Sequence, residues 1–133
     1  MGHTDSTEFR LELSAGPDAP RAARRFVVEH AEILPPELIE DAELLVSELV
    51  SNAVRYGRPA IMVIITLEPP LVGVSVRDEG EMIPSASPTS VPTSAVSGRG
   101  LVIVDRLSSA WGVTPADPPP GKTVWFRLDA GES

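Results

Sequence analysis

DAELLVSELVSNAVRYG, residues Asp41 to Gly57, is the stretch from which the rest of the chain can be read. Ala42, Leu45, Val46, Leu49 and Ala53 recur with the helical period and form one apolar face, which predicts a helix from Pro36 to Tyr56 that packs on a sheet. Gly57 stands where a C-terminal cap belongs, and Pro36 suits a first helical position. Glu48 and Asn52 are one helical turn apart, so their side chains stack on one flank beside the apolar stripe. Taken alone, that flank reads as a solvated edge, and an asparagine inside a helix is only mildly unfavourable. A carboxylate and an amide in this position acquire meaning only together with segments further along.

Working outward, Phe9–Arg10–Leu11–Glu12–Leu13 alternates apolar and charged residues, the pattern of a half-exposed edge strand. Gly16–Pro17–Asp18 breaks it. A helix is expected from Asp18 or Ala19, with Asp18 as N-cap, through Phe26 and Val27 to about Glu32. Downstream, Ala60–Leu67 and Leu71–Asp78 are β-rich and joined through Glu68–Pro69–Pro70, which predicts an antiparallel pair. Residues 81–97 carry Pro84, Pro88 and Pro92 among serines and threonines and read as a mobile loop. A short helix over 101–107 and strands near Ala110–Thr114 and Thr123–Leu128 complete the order β-α-α-β-β-loop-α-β-β. That order predicts an α/β (α+β two-layer) sandwich, a mainly antiparallel sheet with helices on one face. A single domain over 8–129 is expected, with residues 1–7 disordered and 130–133 a tail.

Composition narrows the function classes. The chain has 133 residues, 42% of them hydrophobic, and no apolar run long enough to span a membrane. No cysteine is present, which excludes disulfides, Cys–zinc sites and thiol catalysis. His3 and His30 alone do not make a metal ligand set. A net charge of −8 argues against nucleic acid or an anionic membrane as partner. The first residues lack the basic and apolar parts of a signal peptide, so a soluble cytoplasmic domain is expected.

Two later motifs bear on the Glu48–Asn52 flank. Val74–Ser75–Val76–Arg77–Asp78–Glu79–Gly80 is a strand ending in Asp-x-Gly, which is also an ordinary strand-to-turn sequence. Gly98–Arg99–Gly100–Leu101 is a glycine pair opening a helix, an arrangement that can offer backbone N–H groups to phosphate or simply turn the chain. In order and flanking, these segments resemble the motifs of the Bergerat-fold (GHKL, histidine kinase-like) ATP-binding superfamily. Glu48–Leu49–Val50–Ser51–Asn52–Ala53 is similar to its N-box, Asp78–Glu79–Gly80 to its first glycine box and Gly98–Arg99–Gly100–Leu101 to its second. Gly121–Lys122–Thr123 is similar to its closing Gly-Thr element. The strings Ser47–Arg55 and Ser97–Leu101 look like the RsbW-like anti-sigma-factor serine kinases of actinobacterial type.

The resemblance implies ATP and Mg²⁺ as ligands. Asn52 would be the Mg²⁺ ligand, a neutral oxygen donor beside charged phosphates. Glu48 would be the general base or would orient the nucleophile. Asp78 would accept a hydrogen bond from the exocyclic amine of adenine, with Gly80 allowing close approach and Thr123 helping to hold the base. Gly98, Arg99, Gly100 and Leu101 would surround the phosphates, and residues 81–97 would form the lid. Implied partners are a sigma factor and a STAS-type anti-anti-sigma antagonist phosphorylated on serine, with a homodimer as a further option. The superfamily's first box carries a second glycine where this chain has Met82 after Glu81. The alternative is therefore a non-catalytic partner-binding module on the same fold.

Overall fold

The computed structural model describes residues 6–80, 107–116 and 120–131. In chain order these hold β1 (Thr7–Leu13), α1 (Ala19–His30), α2 (Pro36–Tyr56), β2 (Ile61–Glu68), β3 (Leu71–Asp78), β4 (Ala110–Pro115) and β5 (Lys122–Asp129). The strands form one sheet in the order β1-β2-β3-β5-β4, and every pairing is antiparallel. Both helices lie on the same face of it. α1 packs over β1 and β2, and α2 lies beside α1 over β2, β3 and β5. This is the two-layer α+β sandwich that the element order predicts. The expected lid over 81–97, the Gly98–Leu101 motif and the helix over 101–107, except Leu107, lie outside the described residues.

The period-two pattern of the strands decides which side is buried. Ile61, Val63 and Ile65 of β2, Val72, Val74 and Val76 of β3, and Val124, Phe126 and Leu128 of β5 all point to the helices and are almost fully buried. Against them α2 sets Ala42, Leu45, Val46, Leu49, Val50 and Ala53, and α1 sets Ala19, Ala23, Phe26 and Val27. Each large side chain so buried contributes about 1.5–3 kcal/mol. The opposite face is half-exposed. There Trp125 lies across Gly112, where an added Cβ would come within 2.7 Å of the indole, and the Arg127 guanidinium stands 5.1 Å from the Trp125 ring centre.

Asp18 and Gly57 occupy the cap positions expected of them. Asp18 occupies the N-cap of α1, but its side chain makes no capping hydrogen bond; its carbonyl simply accepts from Ala22 N–H. The helix ends at His30, two residues short of Glu32, with the Ala31 N–H bonded to the Val27 carbonyl. Gly57 does follow α2, but at φ −97° and ψ −159° it is extended and not left-handed. Its missing side chain serves another purpose, described below. Beyond β5, Ala130 is tied back by its N–H to the Pro70 carbonyl at 2.7 Å. No helix among the described residues is long and apolar enough to cross a membrane.

Candidate nucleotide site

α2 has two unlike flanks. On one side Ser47 accepts a 2.7 Å hydrogen bond from Arg24 of α1, which fixes that flank against the neighbouring helix. Glu48 and Asn52 occupy the other flank, turned away from α1 and toward the β5 side of the sheet, because 100° per residue separates them from Ser47 around the axis. Both side chains are half-buried. The Asn52 Oδ1 is fully buried and has no hydrogen-bond partner among the described residues. Buried acceptors are almost always paired, so an orphan carbonyl oxygen marks a place where a donor or a cation fits. Glu48 sits about 6 Å further back along the helix axis.

Five residues beyond Asn52, α2 delivers Gly57 to the end of β3. There Asp78 is 2% exposed, and three backbone segments close around it. The Gly80 N–H donates to Oδ1 at 2.6 Å, and the Arg58 N–H approaches the same oxygen at 3.4 Å. A Cβ on Gly57 would stand 2.5 Å from the Asp78 carboxyl carbon, so no other residue fits this close approach without movement. Gly121, at φ +119°, brings the chain into β5 directly over the Asp78 carbonyl. Gly57→Ala is therefore expected to destabilise the fold by about 1–3 kcal/mol through overpacking, read as a lowered midpoint in thermal unfolding.

The counter-charge of Asp78 was not anticipated from the sequence. Lys122 lies directly opposite Asp78 in the β3–β5 register, and its ammonium donates to both carboxylate oxygens, at 3.0 and 2.9 Å. Lys122 is itself only 5% exposed. The pleat that turns Lys122 inward turns Thr123 outward: Thr123 pairs with the exposed Arg77 and lies on the sheet face remote from the helices. Thr123 is thus not beside Asp78, and the residue of the Gly121–Lys122–Thr123 string that reaches the site is Lys122. Gly80 does abut Asp78, but it wraps the carboxylate itself with its N–H. The structure therefore gathers Asp78, Gly80 and Lys122 at the end of the β3–β5 pair, and sets Glu48 and Asn52 on the adjoining flank of α2. Gly98, Arg99, Gly100 and Leu101 lie outside the described residues.

The donor chemistry at the two ends of this site differs. No group of three or more His, Asp or Glu side chains capable of holding a metal occurs among the described residues. The lone oxygen of Asn52 suits Mg²⁺ that arrives with phosphate oxygens already attached, the usual way a protein holds it with few side chains. At the other end the Asp78 carboxylate is engaged through both oxygens by the Lys122 ammonium.

Comparison with known proteins gives the following. The model of the histidine kinase-like ATPase domain family matches residues 13–128. Similar folds include the crystal structure of the RsbU and RsbW domains of Rv1364c from Mycobacterium tuberculosis, at TM-score 0.68 and 24% identity over 92% of this chain and 32% of that one. They also include the histidine kinase domain of the blue-light activated histidine kinase from Erythrobacter litoralis EL346, at TM-score 0.58 and 18% identity over 89% and 65% of the respective chains. The Acinetobacter baumannii histidine kinase AdeS follows at TM-score 0.56 and 12% identity, over 95% and 68%. The chain spans about a third of the mycobacterial chain it matches. Among curated proteins none matches.

Proposed function

The chain belongs to the histidine kinase-like ATPase domain family, and on that premise we propose that it is an ATP-binding regulatory protein with serine kinase activity toward a STAS-type antagonist of sigma-factor sequestration. The observation that carries the nucleotide reading is the buried, unpartnered Oδ1 of Asn52, on the α2 flank that faces away from α1. The regulatory part of the reading draws support from the N-box-like string Ser47–Arg55 and from the fold shared with a structure that contains an RsbW domain.

In this reading Asn52 would hold Mg²⁺ through its amide oxygen and would add no negative charge next to the phosphates. The cation would supply neutralisation of charge on the transferring phosphoryl group. Glu48, one turn away, takes the proton of the incoming serine hydroxyl. The remaining phosphate contacts are assigned by resemblance to Gly98, Arg99, Gly100 and Leu101 and the lid to residues 81–97, all outside the described residues. A sigma factor is the partner held in check, and a second copy of the chain is a further candidate. The ion pair at Asp78 favours a second reading beside this one, a partner-binding module whose grip on nucleotide is weak.

Calorimetric titration of ATP, with and without Mg²⁺, into wild type and Asn52→Leu tests the first reading. Wild type is expected to bind more tightly with Mg²⁺, and Asn52→Leu is expected to lose that difference. The variant should unfold no earlier than wild type, because an unpaired buried acceptor costs about 1–3 kcal/mol. Absence of any binding to wild type leaves the partner-binding reading.

A further inference from the structure

Both helices cover one face of the sheet, and among the described residues no element lies over the other face. The strand register sets the side chains of that open face in rows. One row runs Arg10, Ile64, Ser75 and Trp125, and the next runs Glu8, Thr66, Gly73 and Arg127. Met62 and Leu71 extend the apolar part beyond these rows at either end. Met62, Ile64, Leu71 and Trp125 are all only partly buried. A sheet whose open face carries such a patch is completed by a second layer. Gly73, lacking a side chain, leaves a hollow of about 160 Å³ between Thr66, Leu71, Ser75 and Trp125.

Charge is unevenly divided over this face. The β1–β2 half carries Glu8, Glu12 and Glu68 against Arg10, and the β3–β5 half carries Arg77 and Arg127 against Asp129. Glu8 and Arg10 are 43% and 62% exposed and pair with each other along β1. The Arg127 guanidinium, over the Trp125 ring, has no carboxylate partner among the described residues. A surface that is acidic on one half and basic on the other complements itself across a twofold axis. We propose that the open face packs on the same face of a second copy of this chain, with the twofold axis along the strands between β2 and β3. That axis lays β2 over the second copy's β3 and β1 over its β5, an aligned sandwich with sheets about 10 Å apart. Glu8 then faces the second copy's Arg127, Arg10 meets the ring of its Trp125, and Thr66 enters the hollow over its Gly73. Each contact occurs twice. The proposal deepens one part of the reading above, the second copy as partner. It uses the sheet face remote from α2 and Asn52, so it stands or falls separately from nucleotide binding.

The test is sedimentation of wild type, Glu8→Arg, Arg127→Glu and a one-to-one mixture of the two variants across the micromolar range. Wild type is expected to be a dimer. Glu8→Arg sets arginine against arginine at both contacts, and Arg127→Glu sets carboxylate against carboxylate. Each variant alone is expected to dimerise about tenfold or more weakly than wild type, the effect of like charges facing each other. The mixture is expected to recover wild-type affinity within about threefold as a heterodimer, because opposite charges meet again at both contacts. A monomeric wild type leaves this face to another protein or to residues 81–106 and overturns the proposal, with the nucleotide reading untouched. A dimer that neither substitution weakens is joined elsewhere, and this too overturns it. So does a mixture no more associated than its two components. Both substituted side chains are exposed, so both variants should fold as judged by circular dichroism. If one does not, the wild-type state and the other variant decide.

Discussion

Lys122→Met is expected to destabilise the fold by about 3–5 kcal/mol, read as a lower urea midpoint with an unchanged slope. Methionine keeps the length and apolar stem of lysine, so what is lost is the ammonium. Among the described residues, the Asp78 carboxylate is then buried with the Gly80 N–H and the long contact from Arg58 N–H to face it. Breaking a buried pair is costly for this reason, even where the intact pair adds little net stability over an apolar alternative. The loss is a large part of the roughly 5–15 kcal/mol that holds a typical domain together. Asp78→Asn in the Lys122→Met background should recover most of it, because a neutral amide needs no counter-charge and fits the same space. Asp78→Asn alone should destabilise, since it strands the ammonium. The two changes are thus expected to be strongly non-additive in a double-mutant cycle. A loss below about 1 kcal/mol for Lys122→Met would mean that solvent reaches the pair, as it does for surface ion pairs.

The parts of this arrangement that follow from helix geometry could be read directly from the sequence. Glu48 and Asn52 share a flank because one turn separates them, and the apolar stripe from Ala42 to Ala53 fixes which way that flank turns. The β2–β3 hairpin was equally legible, since two β-rich runs separated by Pro69–Pro70 leave little choice of register. The end of the β3–β5 pair was not. A strand flips every side chain to the other face when its register moves by one residue, and β5 takes its register from β3, some forty residues earlier in the chain. Nothing in Gly121–Lys122–Thr123 itself says which of the last two residues points inward. Of the two, Thr123 is the residue whose hydroxyl suits a base, and the resemblance therefore implies it. Gly57 caps α2 as expected, and tertiary contact sets a second demand on it, because Asp78 needs the space that its missing side chain leaves. For β5 the signal lies further along the strand, where the alternation of Val124, Phe126 and Leu128 with Trp125 and Arg127 puts Lys122 on the buried face and Thr123 on the other.

Glu48→Gln is expected to lower phosphate transfer from ATP to a serine of a STAS-type antagonist by about 10²–10⁴-fold, the usual worth of a positioned general base. In the proposed step the serine oxygen bonds to the γ-phosphorus, the bond to the β–γ bridging oxygen breaks, ADP leaves, and the serine proton passes to the Glu48 carboxylate. Glutamine keeps the length and shape of the side chain but cannot take that proton. Glu48 is half-buried on the same flank as Asn52, about 6 Å along the axis, so in the proposed reading it would neighbour the phosphates and not Asp78. Mg-ATP affinity should consequently change by less than about threefold, which separates a lost base from a lost ligand contact. Single-turnover transfer of labelled phosphate, beside a calorimetric titration of each protein, reads the two quantities independently. An unchanged transfer rate would end the base assignment. A rate that falls in step with affinity would place Glu48 against the nucleotide itself, and the proton would then have to leave the serine by another route, directly to a phosphate oxygen. The amide substitution decides between these routes because it removes the proton-accepting carboxylate and keeps the size and shape of the side chain, while the affinity measurement reads the effect of the lost charge.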